Sequence, residues 1–138
     1  MKRKVSNWIV PVLMAVILTA CGGTDKPSKQ INVTMTDFAF SPNTFTVPAG
    51  EQITFSATNN GAVAHSFVIM NLGHQVTAHF TSQDHANVYW EQAEVAPGAT
   101  AQATLTAPGT AGVYQVVCVN AGHFEAGMVA KVVVVAQP

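Results

Sequence analysis

The stretch Tyr114-Gln-Val-Val-Cys118-Val-Asn-Ala-Gly-His123-Phe-Glu-Ala-Gly-Met128 places a thiol, an imidazole and a thioether within eleven residues. β-Branched residues lead into Cys118, and a second run of this kind, Val129 to Val135, follows Met128. Such residues favour strands. The pattern therefore predicts two strands joined by one loop that carries three soft or borderline metal ligands.

A second imidazole would complete a donor set of two histidines and one cysteine with a weak axial methionine, the arrangement of blue-copper sites. His65 is the candidate, because it lies in a predicted strand over residues 63–70. Three further histidines fall in an irregular stretch, where a solvated surface is the main expectation. A second metal site or a partner-contacting flap is the alternative for these three, which are His74, His79 and His85.

Alternation along the strands indicates that the candidate ligands share the inner face of the fold. Side chains two positions apart in a strand point to the same side. Lys131 should face water, which turns Met128 inward, and Gln115 should face water, which turns Cys118 inward. His65 has the same parity as the apolar residues that follow it at positions 67 and 69. The alternation therefore supports a shared metal site.

The rest of the chain from residue 30 to residue 138 has an all-β pattern. Apolar and polar residues alternate, and turn signals such as Ser41-Pro-Asn43 and Asn59-Asn-Gly61 interrupt them at regular intervals. Seven or eight short strands of this kind predict a Greek-key β-sandwich. Residues 71–93 are less regular, and the spacing of Leu72, Val76 and Phe80 indicates a short helix or a flap there.

The first residues have the features of a processing signal. Lys2-Arg-Lys4 precedes an apolar stretch that is short for a membrane span. Leu18-Thr-Ala-Cys21 resembles the lipobox of bacterial lipoproteins, which implies removal of residues 1–20 and acylation of Cys21. Residues 21–29 then form a polar tether that holds the protein at the outer side of the bacterial cell membrane. The alternatives are an ordinary signal peptide with an incidental cysteine and an uncleaved anchor.

Charge and cysteine content narrow the function classes. Charged residues make up 9% of the chain and no basic cluster follows residue 4, so nucleic-acid binding has no electrostatic basis. After residue 20, three lysines against seven acidic residues give 3 − 7 = −4. If Cys21 is acylated, Cys118 has no disulfide partner. It is then an inert buried thiol, a reactive thiol or a metal ligand.

The Cys-x4-His-x4-Met loop, the upstream His-Ser-Phe and the Tyr-x-Val-Val-Cys strand resemble the small blue-copper proteins, or cupredoxins, of the plastocyanin and azurin type. The ligand spacing is most similar to auracyanin and rusticyanin, and the resemblance covers about residues 30–136. It implies a copper-bearing β-sandwich that carries single electrons on one Cu(I)/Cu(II) ion. The ligands that it implies are His65, Cys118, His123 and Met128.

The resemblance also implies roles for the neighbours of these ligands. Ser66 stands where family members place a polar residue that holds the ligand loop or tunes the sulfur. Azurins and plastocyanins usually have asparagine there. An apolar patch of Ala121, Phe124 and Ala126 surrounds His123, and in the family such a patch docks redox proteins transiently. A monomer is expected.

Several features argue against an enzyme. Val117 removes the His-Cys pair that connects a blue site to a catalytic copper, and a single loop cysteine excludes a CuA centre. The sequence has neither a nucleophile elbow nor a phosphate loop. The leading alternative function is copper binding or delivery without electron transfer. A metal-free adhesive sandwich leaves the ligand spacing unexplained. Four aromatic residues outside the loop are expected in the core: Phe38, Phe40, Tyr89 and Trp90.

Overall fold

The computed structural model describes residues 26–137, and nine strands in this range form two sheets. The predicted signal segment, Cys21 and the first part of the tether lie outside the described residues. No helix within 26–137 has both the length and the apolarity needed to cross a membrane. The strands are β1 Gln30–Thr36, β2 Ala39–Ser41, β3 Thr44–Pro48, β4 Gln52–Asn59, β5 His65–Met70, β6 Val88–Val95, β7 Thr100–Thr106, β8 Gly112–Val117 and β9 Val129–Val135.

The two sheets have the orders β2-β1-β4-β7 and β3-β9-β8-β5-β6. Strand β1 runs parallel to β4 and β3 runs parallel to β9, whereas the other neighbouring strands are antiparallel. Several neighbours are distant in sequence, as Greek-key connections require. The predicted all-β sandwich is confirmed. The described residues form nine strands, whereas seven or eight were predicted. The three-residue β2 and strand β6 are the ones that the sequence pattern did not indicate.

The space between the sheets is filled by the alternating apolar residues of both. Phe67 is fully buried near the centre and packs against Phe40, Phe45 and Phe55, with ring centroids 5.3, 5.8 and 5.0 Å apart. Aromatic pairs of this kind contribute about 0.5–1.5 kcal/mol each beyond the area that they bury. Because Phe67 lies two positions after His65 on β5, this rigid cluster fixes the strand that carries the first candidate ligand.

Strand β5 is buried on both faces, since residues 71–87 cover the side that points away from the main core. Val76 packs there, and its amide donates to Oε1 of Gln115 at 2.7 Å while Nε2 of Gln115 donates to its carbonyl at 3.0 Å. Residues 72, 76 and 80, whose spacing indicated a short helix, do not lie in an α-helix. The segment contains one 3-10 helix, Asp84–Asn87, and the end of the predicted irregular region is strand β6.

Candidate metal centre

The loop between β8 and β9 is folded back on itself by main-chain hydrogen bonds. The His123 amide donates to the Asn120 carbonyl at 3.0 Å, and the Met128 amide donates to the His123 carbonyl at 3.0 Å. Gly122 and Gly127 have φ of +81° and +95°, which other residues adopt at a cost. These bonds bring the two ends of the loop together, since the Cys118 amide also donates to the Met128 carbonyl at 3.3 Å.

Three of the predicted ligands converge at this loop. His123 Nδ1 lies 3.1 Å from His65 Nδ1 and 3.3 Å from Cys118 Sγ, and one donor atom from each residue lies within 4.8 Å of the others. His65 and Cys118 have no exposed surface, whereas 9% of His123 is exposed. Cys118 is the one free cysteine of residues 26–137. A buried thiol with two imidazoles fits copper better than a hard, oxygen-preferring ion.

Met128 lies at the end of the same loop. It is fully buried and belongs to the main core together with Cys118. Its amide bonds to His123 and its carbonyl accepts from Cys118, so two of the other ligands hold its backbone. The predicted burial is correct for this part of the chain, since Cys118, Met128 and His65 are all buried. The prediction that Gln115 faces water is wrong, because its half-buried side chain bonds the backbone of the covering segment.

Ser66 joins the two halves of the site. Its amide lies 3.4 Å from Cys118 Sγ and its hydroxyl lies 3.5 Å from the same sulfur. The hydroxyl also accepts from the Val119 amide at 3.0 Å and donates to Oδ1 of Asn120 at 3.2 Å. Asn120 in turn donates to the Ala64 carbonyl at 2.9 Å. Ser66 therefore contacts both the sulfur and the loop that follows it.

The sequence interpretation missed Asp37, which contacts a ligand directly. His65 Nε2 donates to Oδ1 of Asp37 at 2.9 Å, and the Ala62 amide donates to Oδ2 of Asp37 at 2.8 Å. The Ala62 amide, and to a smaller extent the His65 ring, hold the pKa of Asp37 below its usual value. Asp37 is 28 residues from His65 in the chain, and no local pattern connects the two.

Asn59 and Gly61 shape the loop that precedes His65. The buried Asn59 amide group donates to the carbonyls of Val63 and Val95, both at 2.8 Å, and its Oδ1 accepts from the Gly61 amide. A Cβ on Gly61 would overlap Oδ1 of Asp37 and lie 2.8 Å from His65 Nε2. Only glycine leaves room here for the contact between carboxylate and imidazole.

The surface beside His123 carries apolar side chains and one exposed carboxylate, that of Glu125. Ala121 and Ala126 are exposed and Phe124 is half-buried. Phe38, in the turn between β1 and β2, is 41% exposed and packs edge-on against His123 with centroids 4.8 Å apart. The expectation of a core position is therefore wrong for Phe38, because its turn lies over the ligands. Phe40 is buried as expected and Trp90 packs against the core, whereas Tyr89 is 37% exposed.

Electrostatics at His123 favour the neutral ring. Burial, and then the neighbouring His65, lower the pKa of His123 from its usual value. A neutral imidazole has a lone pair for a metal, whereas the charged form has none. The lowered pKa of His123 therefore keeps this ring available to a metal ion.

The three remaining histidines do not join this cluster. His74 Nε2 donates to Oδ1 of Asp84 at 2.8 Å, and His85 packs against Phe80 with centroids 4.8 Å apart. His79 is exposed and lines a cavity of about 170 Å³ beside the ligand loop. The hydroxyl of Thr81, and then His74, lower the pKa of Asp84 to about 2. His74 and His85 thus serve the packing of the covering segment.

A β-sandwich that gathers a buried thiol and two imidazoles defines a blue-copper protein. Residues 27–135 match the family of copper binding proteins of the plastocyanin/azurin family, and the chain belongs to this family. His65, Cys118, His123 and Met128 form its type 1 copper site. The expected cofactor, copper, is thereby confirmed.

Known proteins agree with this assignment. The chain is 35% identical over 120 residues to the copper-resistant cuproprotein CopI of Rubrivivax gelatinosus, covering 82% of this chain and 70% of that protein. It is 41% identical over 95 residues to chloroplastic plastocyanin of Hordeum vulgare, covering 69% of this chain and 54%, or about half, of that protein.

Solved structures agree with the resemblance to auracyanin and rusticyanin. Reduced auracyanin of Roseiflexus castenholzii matches with a TM-score of 0.69 and 26% identity, covering 80% of this chain and 99% of that chain. A reduced rusticyanin matches with a TM-score of 0.57 and 25% identity, covering 80% of this chain and 82% of that chain. The predicted family resemblance is confirmed.

Proposed function

We propose that the protein carries single electrons between redox proteins in the cell envelope. The observation that carries the proposal is the enclosed donor set, in which His65 and Cys118 are fully buried and His123 alone of the clustered histidines and cysteine reaches the surface. Bound copper would alternate between Cu(I) and Cu(II), taking up and releasing one electron. The protein's residues supply shielding from water, fixed ligand positions and a route to the surface.

Rigidity suits the chain to this task. Cys118 and Met128 belong to the main core, and the loop between them is held by its own hydrogen bonds and by Ser66. Interiors packed in this way change shape at a high cost. The donor atoms therefore keep one arrangement in both oxidation states, and little reorganisation accompanies electron transfer.

The partner would dock on the apolar surface around His123. The expected patch consists of Ala121, Phe124 and Ala126, and the partly exposed Phe38, which packs against the His123 ring, would extend it. A patch of this composition suits a small, transient interface with another redox protein. The exposed part of His123 would be the point of electron entry and exit.

The N-terminal features support membrane attachment. We include in the proposal that cleavage precedes Cys21, that this cysteine is acylated, and that residues 21–29 tether a monomer to the bacterial envelope. Mass spectrometry of the protein from bacterial membranes should find an acylated Cys21 at the N-terminus. A chain that keeps residues 1–20 would contradict this part. Cys21→Ala should release the protein from the membrane.

One observation favours a second function, copper handling without electron transfer: the similarity to the copper-resistant cuproprotein CopI. A delivery protein must release its metal, whereas the enclosed thiol and imidazoles favour retention. The copper-loaded protein can be cycled repeatedly between oxidation states with a Cu(I) chelator present. Retained copper supports the electron carrier, and loss of copper to the chelator on reduction supports delivery.

An electron carrier with this copper site should have characteristic spectroscopic and electrochemical properties. The copper-loaded protein should show an intense thiolate-to-copper band, the small hyperfine splitting of a type 1 site and a reversible one-electron wave in voltammetry. A colourless copper adduct would contradict the proposal. Copper held by these four ligands would have no open position for a substrate, which fits an electron carrier better than an enzyme.

A further inference from the structure

The His65 ring uses its two nitrogens for different partners. Nδ1 lies on the side of the metal site, 3.1 Å from His123 Nδ1. Nε2 lies 2.9 Å from Oδ1 of Asp37. The imidazole has no exposed surface, whereas the Asp37 side chain is 30% exposed. A buried imidazole that uses one nitrogen for a metal can be oriented only by a hydrogen bond to its other nitrogen. In His65 that hydrogen bond is made to Asp37.

The carboxylate of Asp37 is itself held in place. Its second oxygen, Oδ2, accepts from the Ala62 amide at 2.8 Å. Gly61 lies against Oδ1, where no side chain would fit, and Asn59 binds the Gly61 amide at 2.8 Å. One carboxylate oxygen of Asp37 therefore accepts from the loop backbone and the other accepts from the imidazole. The fold of the loop before β5 thus holds the carboxylate against His65.

This contact has a chemical consequence for His65. A carboxylate acceptor keeps the proton on Nε2 and leaves the lone pair on Nδ1, which faces the other ligands. It also makes the imidazole a stronger electron donor, because negative charge at Nε2–H raises the basicity of the ring. A stronger donor stabilises Cu(II) more than Cu(I), which lowers the reduction potential.

We infer that Asp37 is a positioning residue that fixes the tautomer of His65 and lowers the reduction potential of the site through the hydrogen bond from His65 Nε2. The inference rests on the proposed electron-carrier function for its effect on the potential. The effect on the tautomer depends on the protein alone. A purely structural role would leave Asp37 important only for the loop over residues 59–64.

The first experiment measures the tautomer and needs no electron transfer. In the metal-free protein, the ¹⁵N shifts of the His65 ring should show Nε2 protonated and Nδ1 unprotonated. In Asp37→Ala the two tautomers should be mixed. A wild-type ring protonated on Nδ1, or an unchanged tautomer in a folded Asp37→Ala, overturns the inference. Asp37→Leu, which is similar in size and cannot accept a hydrogen bond, replaces Asp37→Ala if the latter does not fold.

The second experiment measures the copper-loaded protein. Asp37→Asn should weaken Cu(II) binding about tenfold in competition with chelators, because partners of ligating histidines typically have effects of this size. Cu(I) binding should change less. If Cu(I) binding is unchanged, a tenfold loss of Cu(II) affinity raises the potential by about 59 mV for one electron. Asp37→Glu should recover part of the shift.

Glu125→Gln is the matched control. Glu125 is an exposed carboxylate in the ligand loop, and its charge acts on His123 through space. This variant should move the potential less than Asp37→Asn. Equal shifts would mean that only charge matters and would overturn the role of the hydrogen bond. Failure of the wild type to give a reversible wave would count against the electron carrier, whereas the ¹⁵N result would still decide the tautomer.

Discussion

The amide of Ser66 points at the sulfur of Cys118, with N and Sγ 3.4 Å apart, although the two residues are 52 positions apart in the chain. Ser66 lies in β5, and Cys118 directly follows the last residue of β8, the strand that pairs with β5. The contact ties the strand that begins with His65 to the strand that leads into Cys118. Sheet pairing thus sets the distance between two metal ligands.

Ser66→Ala should destabilise the ligand loop. The change removes the hydroxyl that accepts from the Val119 amide and donates to Asn120, leaving both partly buried groups without this partner. Unsatisfied groups of this kind cost about 1–3 kcal/mol. Thermal or denaturant unfolding of the metal-free protein measures the loss. Ser56→Ala, at a half-exposed position on β4 in the other sheet, should change stability much less. Equal stability in the two variants would contradict the prediction.

Gly61→Ala should disturb the copper site from outside the ligand set. The added Cβ meets Oδ1 of Asp37 and lies 2.8 Å from His65 Nε2, and both are held by other contacts. Overpacking of this kind costs about 1–3 kcal/mol. Unfolding curves and the visible spectrum of the loaded protein should both change. The matched control is Gly109→Ala, whose Cβ would meet nothing within 4 Å. If Gly61→Ala has an unaltered spectrum and stability, the loop can shift to accommodate the methyl group at little cost, and the prediction is wrong.

Local sequence patterns predict most of the fold and the ligand set. The alternation around Gln115 and Lys131 suffices to turn Cys118 and Met128 inward, because each strand needs only its own polar and apolar residues to indicate its buried face. The spacing of cysteine, histidine and methionine in one loop is also local. Strand alternation and ligand spacing can both be recognised without knowledge of the tertiary structure.

Contacts between distant segments were not predictable in this way. Val76 and Gln115 are 39 residues apart, and their hydrogen bonds hold the segment that buries the second face of β5. Of the residues with helical spacing in this segment, Val76 and Phe80 pack on that face, whereas Leu72 is 45% exposed. Asp37 and Phe38 reach the two histidines from a turn between β1 and β2, which only the pairing of β1 with β4 brings near the site.

Cys118→Ser should abolish the intense visible band and leave the domain folded. The hydroxyl of serine is a poor substitute for a thiolate ligand to copper. The core does not depend on one sulfur, although a buried hydroxyl without a good partner costs about 1–3 kcal/mol. Absorption spectra with copper and circular dichroism without it give the two readouts. A retained blue colour would mean that another ligand set is in use.

Asp84 should remain ionised to low pH. The Thr81 hydroxyl and His74 lower the pKa of Asp84 from 3.8 to about 2. Its stabilising contacts are therefore fully present above pH 3.8 and are lost as the pH falls through about 2. The amide shift of Thr81 in the metal-free protein, followed by NMR, reports the change, since this amide donates to Oδ2 of Asp84. A midpoint near 3.8 would refute the expectation. Asp84→Asn should remove the transition.

Met128→Gln should lower the reduction potential. Met128 is fully buried at the end of the ligand loop, where two ligand residues bond its backbone. An amide oxygen is a harder donor than a thioether and binds Cu(II) in preference to Cu(I). Because glutamine is similar in length, the loop should keep its fold, which circular dichroism can verify. Voltammetry of the two copper-loaded proteins measures the shift. Met70→Gln, at a fully buried methionine in the second core, controls for the cost of burying an amide. An unchanged potential in a folded Met128→Gln would show that Met128 is not the axial ligand.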